Sequence, residues 1–350
     1  MKNFRCHCGQ QIFFENTFCN NCQHTLGYEP HLQQLLSLDK IGENLWQIAG
    51  TLMSSQQYRL CQNYHQHHVC NWLTDTTEDF CLSCRLTQTI PNLSVPQNIK
   101  RWAALENAKR RLIHTLLSLH LPVISKRQDM MNGLSFVFLE DQRFNPNVAE
   151  EHVLTGHVNG TITINLSETD SVNLEATRQA MNESYRTLLG HFRHESGHYY
   201  WDLLIKYSNY LSEFRTYFGD ENLDYSTALQ NYYNIQSTQH DWQQQYISAY
   251  AQSHPLEDWA ESWAHYLHMV DTLDTAHTFN LTSSKLISND FDSWLQEWIR
   301  LSIVMNSLNR SMGLPDVYPF VLSAKVIEKL RFIHRIISYQ RNPTVNQAIY

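Results

Sequence analysis

Residues 190–202 have the sequence Gly190-His191-Phe192-Arg193-His194-Glu195-Ser196-Gly197-His198-Tyr199-Tyr200-Trp201-Asp202. Within this stretch His194, Glu195 and His198 form the pattern H-E-x-x-H. Residues four apart lie on one face of a helix, so both imidazoles can reach a single metal ion. Glu195 follows the first histidine and can accept a proton from a water on that ion. A zinc hydrolase requires two nitrogen ligands, an open coordination position and a carboxylate base, so the stretch predicts a zinc site.

The sequence on both sides of the motif predicts a long, half-buried helix. No proline interrupts positions 172–208, and apolar residues continue past the motif at 203–205. Ser196 and Gly197 are small enough to leave room beside a metal. Apolar residues recur at helical spacing ahead of the motif at Met181, Tyr185, Leu188, Leu189 and Phe192. H-E-x-x-H alone is only moderately specific, and this helical context makes a metal site the favoured interpretation.

Length, composition and charge restrict the class of protein. A chain of 350 residues is long enough for two or three domains and a substantial core. It has no apolar run near the ~18 residues that span a bilayer, and its N-terminus lacks the apolar segment of a secretory signal. The net charge of −8 gives no general attraction to nucleic acid or to an anionic membrane. We therefore expect a cytoplasmic protein that does not act on membranes.

All eight cysteines lie before residue 85, in two groups. Without a secretory signal, this asymmetry favours thiolates that hold metal over a disulfide framework. The first group has the spacing of a zinc ribbon, in which each cysteine pair sits on a tight turn, and Gly9 suits such a turn. His7 or His24 could replace one of the cysteines. The predicted ligands of this first structural zinc are Cys6, Cys8, Cys19 and Cys22.

The second cysteine group predicts another closed tetrahedral zinc site. Four thiolates leave no open position on the metal, so neither group is expected to be catalytic. His65, His67 and His68 are alternative ligands. The two groups could also exchange a pair, because spacing alone does not fix which pairs combine. The predicted ligands of the second structural zinc are Cys61, Cys70, Cys81 and Cys84.

Many zinc ribbons bind nucleic acid, but this segment lacks the necessary charge. Residues 1–100 contain six lysines and arginines against seven aspartates and glutamates. A near-neutral segment does not provide the basic surface that phosphate binding needs. We expect instead that the segment docks another protein or presents a substrate.

A proline-bounded stretch at 91–96 is the predicted boundary between a zinc-ribbon module at 1–96 and a second domain at 97–350. The second domain is predicted to be mainly helical with a small sheet, which is an α+β arrangement. On its first helix, the basic cluster Lys109-Arg110-Arg111 is expected on the solvated side. The first predicted helix is 97–119. It is followed by the motif helix, by a helix that starts near 219–221, and by helices at 239–253, 255–278, 290–311 and 322–339.

The predicted strands of the second domain are 135–139 and a hairpin at 152–166. Asn159-Gly160 lies between the two alternating runs of the hairpin and favours a type I′ turn. An exposed edge strand could pair with an extended peptide through backbone hydrogen bonds. A purely structural hairpin is an equal alternative.

A catalytic zinc needs a third protein ligand besides the two histidines. The metzincin arrangement would require glycine at 201 and histidine at 204, where this chain has Trp201 and Leu204. The segment 257–265 offers two glutamates instead, Glu257 and Glu261, which are four apart on a predicted helix. We favour Glu257 as the ligand, with Glu261 accepting the outer N–H of a ligating histidine, and the reverse assignment stays open.

The environment of this glutamate pair supports the assignment. Trp259, Ala260 and Trp263 predict that the helix is largely buried, and Pro255 suits its first turn. Two buried carboxylates without a cation would be costly, so a solvated acidic face is the weaker explanation.

Glu257-x-x-Ala260-Glu261, together with H-E-x-x-H, resembles the gluzincin metallopeptidases, in which a glutamate on a later helix completes the zinc site. More closely, the chain is similar to bacterial zinc-binding metallopeptidases that join an N-terminal zinc ribbon to such a catalytic domain. The resemblance implies a zincin-like fold, a catalytic zinc and peptide-bond hydrolysis. It extends in order from about residue 4 to about residue 310 through the segments 70–73, 81–87, 108–112, 155–157, 162–165, 185–195, 218–221 and 263–268.

The resemblance also implies roles for residues around the zinc. Some gluzincins have a tyrosine seven residues before the ligating glutamate that donates to the oxyanion, and Tyr250 has that position, although it could equally be a packed aromatic residue. His254 and His265 are alternative donors, and His265 is also expected close to the ligands. Asp202, four residues after His198, matches the H-E-x-x-H-x-x-x-D form of some gluzincins and is expected to anchor the helix.

These expectations combine into a zinc-dependent peptidase with one catalytic and two structural zinc ions. Zinc lowers the pKa of its bound water toward ~7, and Glu195 takes the proton as the water attacks a peptide carbonyl. The partner is then a peptide or protein substrate. The alternative is a catalytically inactive, zinc-stabilised protein-binding or regulatory module.

Overall fold

The computed structural model describes residues 2–51, 56–143, 145–170, 187–235, 242–283 and 290–341. The chain divides into two compact units, one of residues 1–118 and 122–173, the other of residues 119–121 and 174–350. The predicted boundary at residue 96, between a zinc-ribbon module and a second domain, stays a prediction. No helix among the described residues is long and apolar enough to cross a bilayer.

The N-terminal unit contains the strands of the described residues, in four small sheets. Two of the sheets are antiparallel pairs, and they consist of β1 (Phe4–Arg5) with β2 (Gln11–Ile12) and β6 (Arg59–Leu60) with β7 (Leu73–Thr74). A three-stranded antiparallel sheet is formed by β3 (Thr25–Glu29), β4 (Gln34–Gly42) and β5 (Leu45–Ile48). The largest sheet has the order β10-β11-β9-β8 and consists of β8 (Thr87–Thr89), β9 (Ser135–Leu139), β10 (Gly156–Val158) and β11 (Thr161–Asn165).

The hairpin of β10 and β11 has the predicted turn. Asn159 and Gly160 have φ angles of 48° and 76°, and a type I′ turn requires positive φ at both positions. β10 lies at the edge of its sheet, while β11 pairs in parallel with β9. The predictions of this hairpin and of a strand at 135–139 are confirmed, and peptide pairing along β10 stays a prediction.

Two helices complete the N-terminal unit, α1 (Gln62–His67) and α2 (Asn98–Ser118). The expectation that the basic cluster of α2 is solvated is wrong for Lys109 and Arg110, whereas the side chain of Arg111 is 41% exposed. Lys109 is fully buried and forms a 2.9 Å ion pair with Glu106, and Arg110 is 3% exposed and donates to the carbonyl oxygen of Val69 at 2.6 Å. Buried cations of this kind require such partners, and the sequence pattern of a helix does not reveal them.

Among its described residues, the regular secondary structure of the C-terminal unit is entirely helical. Its core lies around α6, where Trp259, Trp263 and Tyr266 are fully buried. Since helices dominate this unit and the strands form small sheets in the other one, the α+β prediction is confirmed. The helices are α3 (Leu188–Leu204), α4 (Leu211–Phe218), α5 (Tyr225–Ile235), α6 (Pro255–Thr278), α7 (Phe291–Ser311) and α8 (Ala324–Gln340).

The helix that carries the motif is present as predicted. α3 begins after Thr187, whose side chain accepts from the backbone N–H of Gly190. The earlier apolar positions Met181 and Tyr185 lie outside the described residues.

Two predicted helices differ from the structure. Within 242–253 there are only two short 3₁₀ turns, so the predicted helix at 239–253 is wrong there; residues 239–241 lie outside the described residues. The predicted helix start at 219–221 is also wrong. Gly219 has a φ of 104° and ends α4, while the carboxylate of Asp224 accepts from the backbone N–H of Thr227 and begins α5.

Candidate metal centres

The packing of α3 against α6 positions the first candidate site. Gly197 permits a close approach of the two helices, since a Cβ atom there would lie 2.9 Å from Ala260 Cα. Trp259 donates from Nε1 to the Gly197 carbonyl oxygen at 2.8 Å, and Trp263 donates to Ser196 Oγ at 3.1 Å. The small residues of the motif therefore make room for α6, and the interpretation that they leave space beside a metal is wrong.

We expect that Gly197→Ala destabilises the C-terminal unit by about 1–3 kcal/mol, the typical cost of overpacking. The added methyl would meet the backbone of α6, which cannot turn aside as a flexible side chain can. Thermal unfolding measures this effect, and Gly156→Ala is the control because its Cβ would meet open space. Equal stability of Gly197→Ala and the control would contradict the close helix contact.

Three potential metal ligands converge where α3 faces α6. His194 Nε2 and His198 Nε2 are 3.2 Å apart. Glu257 Oε2 lies 3.0 Å from His194 Nε2, and Glu257 Oε1 lies 3.3 Å from His198 Nε2. Glu257 is 1% exposed, whereas both histidine side chains retain a small exposed fraction, so the cluster can be reached from solvent.

Glu261 contacts the same histidine from the other side. Its Oε1 atom lies 2.6 Å from His194 Nδ1, and its Oε2 atom accepts from Ser248 Oγ at 2.6 Å. With Nδ1–H donating to this carboxylate, the neutral ring of His194 has its lone pair on Nε2, which faces Glu257. The arrangement places Glu257 with the converging donors and Glu261 behind one of them.

The donor set of this cluster fits a zinc ion. Two imidazole nitrogens and one carboxylate oxygen are the ligands of many catalytic zinc sites. Glu257 Oε2 is buried and has no hydrogen-bond partner among the described residues, although an imidazole nitrogen lies close to it. Three acceptors that point at one another are compatible with a shared cation and costly without one.

The electrostatics of the cluster also favour positive charge at this position. Burial would lower the pKa of His194, but the adjacent carboxylates of Glu257 and Glu261 raise it well above its usual value. Burial opposes ionisation of Glu261, yet the hydrogen bond and charge of His194 lower the pKa of Glu261 to about 2. Both carboxylates therefore stay ionised and stabilise a cation, which can be a proton or a metal ion.

Glu195 lies beside the cluster without belonging to the group of converging donors. It is 7% exposed, and burial raises the pKa of its carboxyl, while the charges of His194 and His198 oppose that rise. A carboxylate whose pKa is raised toward the working pH can both accept and return a proton.

Tyr250 lies next to this cluster, with its ring centroid 6.0 Å from that of His194. Tyr250 interacts with Tyr225, whose hydroxyl donates to Glu257 Oε1 at 2.7 Å. Burial, followed by the charge of Glu257, raises the pKa of both phenols, so they remain hydrogen-bond donors. Tyr250 is therefore linked to the cluster through a second tyrosine.

The remaining predicted residues lie on α3 and α6 or at the start of α6. Asp202 accepts from Lys206 at 2.9 Å, an ion pair at the end of α3. His254 accepts from the backbone N–H of Leu256 and thereby caps α6. His265 lies one turn beyond Glu261, is buried, and has its Nδ1 atom 3.0 Å from the hydroxyl of Tyr318. Burial lowers the pKa of His265 to about 4, so this ring is neutral.

The eight cysteines form two groups in the N-terminal unit, with no exchange of pairs between them. None of the eight forms a disulfide bond. The sulfur atoms of Cys6 and Cys22 are 3.4 Å apart in the first group, and those of Cys70 and Cys81 are 3.8 Å apart in the second. The members are Cys6, Cys8, Cys19 and Cys22 in the first group and Cys61, Cys70, Cys81 and Cys84 in the second.

The surroundings of the two cysteine groups differ. The second group is buried beside the guanidinium of Arg110. Burial would lower the pKa of Arg110, but the charges of Cys70, Glu106, Cys84 and Cys81 raise it. A zinc ion with four thiolates carries a net charge of about −2, which a buried cation offsets. The first group has no such buried arginine described beside it and is closer to solvent, since Cys8 is exposed.

Comparison with known proteins agrees with this arrangement. A family model described as "Putative zinc-binding metallo-peptidase" matches residues 98–336, and a second, described as a zinc-ribbon domain, matches residues 3–95. The chain belongs to this zinc-binding metallopeptidase family. Zinc binding by the chain is supported both by these families and by the two cysteine groups.

Proteins with similar sequences occur in mycobacteria. Uncharacterized proteins of Mycobacterium tuberculosis and Mycobacterium bovis are each 41% identical over 348 residues, which is 96% of this chain and 95% of theirs. No solved structure matches the chain.

Sequence reasoning did not find two residues that support the ligands. Tyr225 contacts Glu257 and Ser248 contacts Glu261, yet neither belongs to a motif. Tyr225 lies in the first turn of a short helix whose start was placed elsewhere, and Ser248 precedes a 3₁₀ turn. The only available signal was their position ahead of the helix that carries both glutamates.

Proposed function

We propose that this chain is a zinc-dependent peptidase in which His194, His198 and Glu257 hold the catalytic zinc and Glu195 is the general base. One observation supports the proposal most strongly. The carboxylate of Glu257 lies 3.0 Å and 3.3 Å from the two imidazoles, while the carboxylate one turn later, Glu261, takes the outer nitrogen of His194. A ligand set with its supporting hydrogen bond is what a catalytic zinc site needs.

A zinc ion bound by these residues would act as a Lewis acid and lower the pKa of a coordinated water toward ~7. The carboxylate of Glu195 then accepts a proton and returns it to the nitrogen of the leaving amine. Its burial keeps bulk water away and holds its pKa above the usual range, which suits both steps. The substrate is a peptide or a protein, and the two cysteine groups hold structural zinc.

Tyr225 and Ser248 act by fixing the orientation of carboxylates. Tyr225 donates to Glu257 Oε1 and restricts rotation of the ligand, while Ser248 does the same for Glu261. We expect that Tyr225→Phe weakens binding of the catalytic zinc by about 10–100-fold, as removal of such supporting partners typically does. Competition with a chelator of known affinity measures the change. Zinc affinity equal to that of the unmodified protein would exclude this role.

Tyr250 is the proposed donor to the oxyanion of the tetrahedral intermediate. Loss of one such donor typically lowers kcat by about 10²–10³-fold. We expect this loss in Tyr250→Phe, with the zinc content unchanged because the ring does not coordinate. Tyr207→Phe is the control, since Tyr207 is 92% exposed. A kcat within about twofold of the control would assign Tyr250 to packing.

The proposal is tested by metal analysis together with cleavage of a peptide library. After desalting to remove exchangeable ions, a peptidase retains three zinc ions per chain, one at each cysteine group and one at His194, His198 and Glu257, and its cleavage stops when a chelator removes the last of these. A zinc-stabilised binding module gives two zinc ions, both bound by thiolates, and no cleavage. The second result would overturn the proposal.

A further inference from the structure

The first cysteine group has two histidines beside it that the structural zinc site does not use. We propose that His7, Cys22 and His24 form an additional metal site, which shares the Cys22 thiolate with the four-cysteine group and binds a borderline divalent cation such as Zn²⁺ or Co²⁺. The proposal concerns the N-terminal unit alone and does not depend on peptidase activity.

The donor atoms of the three residues already lie together. One ligand atom from each is within 4.8 Å of the other two, and the two imidazole rings are in contact with centroids 4.3 Å apart. Cys22 also lies 3.4 Å from Cys6 through its sulfur atom, so it belongs to both clusters. A thiolate sulfur keeps lone pairs after it binds one zinc ion and can therefore bridge to a second cation.

Strand β4 holds both histidines in place. The backbone N–H of His7 donates to Ser37 Oγ at 3.2 Å, and His24 Nε2 lies 3.2 Å from Asp39 Oδ1. Ser37 and Asp39 are two residues apart and point to the same face of β4. The other oxygen of Asp39 accepts from the N–H of Gly50 at 3.2 Å, which fixes the carboxylate.

The contact with Asp39 gives His24 the arrangement of a metal ligand. Ligating histidines commonly donate their second ring N–H to a carboxylate, which fixes the tautomer and raises the basicity of the other nitrogen. With Nε2–H on Asp39, the free lone pair of His24 is on Nδ1. That atom lies 3.3 Å from the carbonyl oxygen of Cys22, another acceptor, so a cation at this position is favoured.

Charge and access are consistent with an exchangeable ion. Four thiolates around one zinc ion leave a net charge of about −2, and Asp39 adds another negative charge beside His24. His7 is exposed, while Cys22 and His24 are half-buried. Three protein ligands leave a position open to solvent, so the additional ion can enter and leave while the four-cysteine site stays closed. Thiolate and imidazole ligands together suit zinc and its neighbours in the first transition row.

The test adds cobalt to the full-length protein after zinc loading and desalting, which leaves the exchangeable site empty and the four-cysteine sites filled. We expect one further equivalent of Co²⁺ to bind with near-ultraviolet sulfur-to-cobalt charge-transfer absorption, and no zinc to be released to a zinc indicator. The absorption should be lost in His7→Gln and in His24→Gln. It should persist in His31→Gln, the matched control, because His31 is exposed and belongs to none of the metal-ligand groups.

Asp39→Asn provides a second variant that leaves all three ligands present. It should weaken cobalt binding by about 10–100-fold, because the orienting carboxylate is lost. Three results would overturn the proposal: no charge-transfer absorption, absorption that appears only as an equal amount of zinc is released, or absorption unchanged in both histidine variants. The second result would mean that cobalt replaces zinc in the four-cysteine site.

Discussion

Glu195→Gln should leave the zinc content of the protein unchanged and lower kcat by at least about 10²–10⁴-fold, the range typical for loss of a general base. Glutamine has nearly the same shape as glutamate, so the buried position beside His194 and His198 remains filled. The amide cannot accept the proton that the carboxylate takes. The measurement is single-turnover hydrolysis of the best library peptide, with zinc determined on the same sample.

The matched control for this variant is Glu328→Gln. Glu328 is about half exposed and pairs only weakly with Lys325, at 3.6 Å, on the surface of the same unit. We expect this control to keep full activity, because an exposed ion pair contributes little to stability. Hydrolysis by Glu195→Gln at the rate of the control would refute the proposed mechanism.

Replacement of the two glutamates of α6 should show which one binds the zinc and which one orients His194. Glu257→Ala should lose the catalytic zinc and all activity, because two imidazoles alone do not complete the site. Glu261→Gln should still bind zinc, with an affinity about 10–100-fold lower, since its carboxylate contacts only the outer nitrogen of His194. Zinc titration of both variants in the presence of a competing chelator measures the difference.

The same experiment distinguishes the reverse assignment. If Glu261 were the ligand, Glu261→Gln would lose the zinc and Glu257→Ala would retain it. Loss of zinc from the cysteine groups in either variant would instead indicate general unfolding. Circular dichroism and the two zinc equivalents of the cysteine groups therefore serve as the control for folding. A folded Glu257→Ala variant that still holds three zinc ions after desalting would contradict the assignment of Glu257 as the ligand.

The α6 region was predictable from the sequence because several signals coincide there. Pro255 marks the first turn, the tryptophans predict a buried face, and the two glutamates stand one turn apart. The helix has the predicted bounds, and the structure brings Glu257 and Glu261 to the same histidine.

Other features depend on contacts that a local pattern does not contain. Tyr225 lies 32 residues before Glu257 and approaches it only because α4 ends at Gly219 and α5 begins after a turn. Ser248 uses its hydroxyl both toward Glu261 and to accept from the N–H of Ala251, which favours a turn over the predicted helix.

The basic cluster of α2 shows the same limitation for residues that were predicted to be solvated. Lysine and arginine are usually solvated, and the burial of Arg110 depends on distant groups, the carbonyl oxygen of Val69 and the second cysteine group. Spacing also left the pairing of the cysteines open, whereas the three-dimensional arrangement keeps the two groups separate.

The most direct test of the whole account is a crystal structure of the zinc-loaded protein with anomalous data at the zinc edge. The account predicts a zinc peak between α3 and α6, bonded at about 2.0–2.2 Å to His194 Nε2, His198 Nε2 and a carboxylate oxygen of Glu257. Zinc peaks at the two cysteine groups alone, with neither glutamate of α6 within coordinating or hydrogen-bonding distance of the histidines, would contradict it.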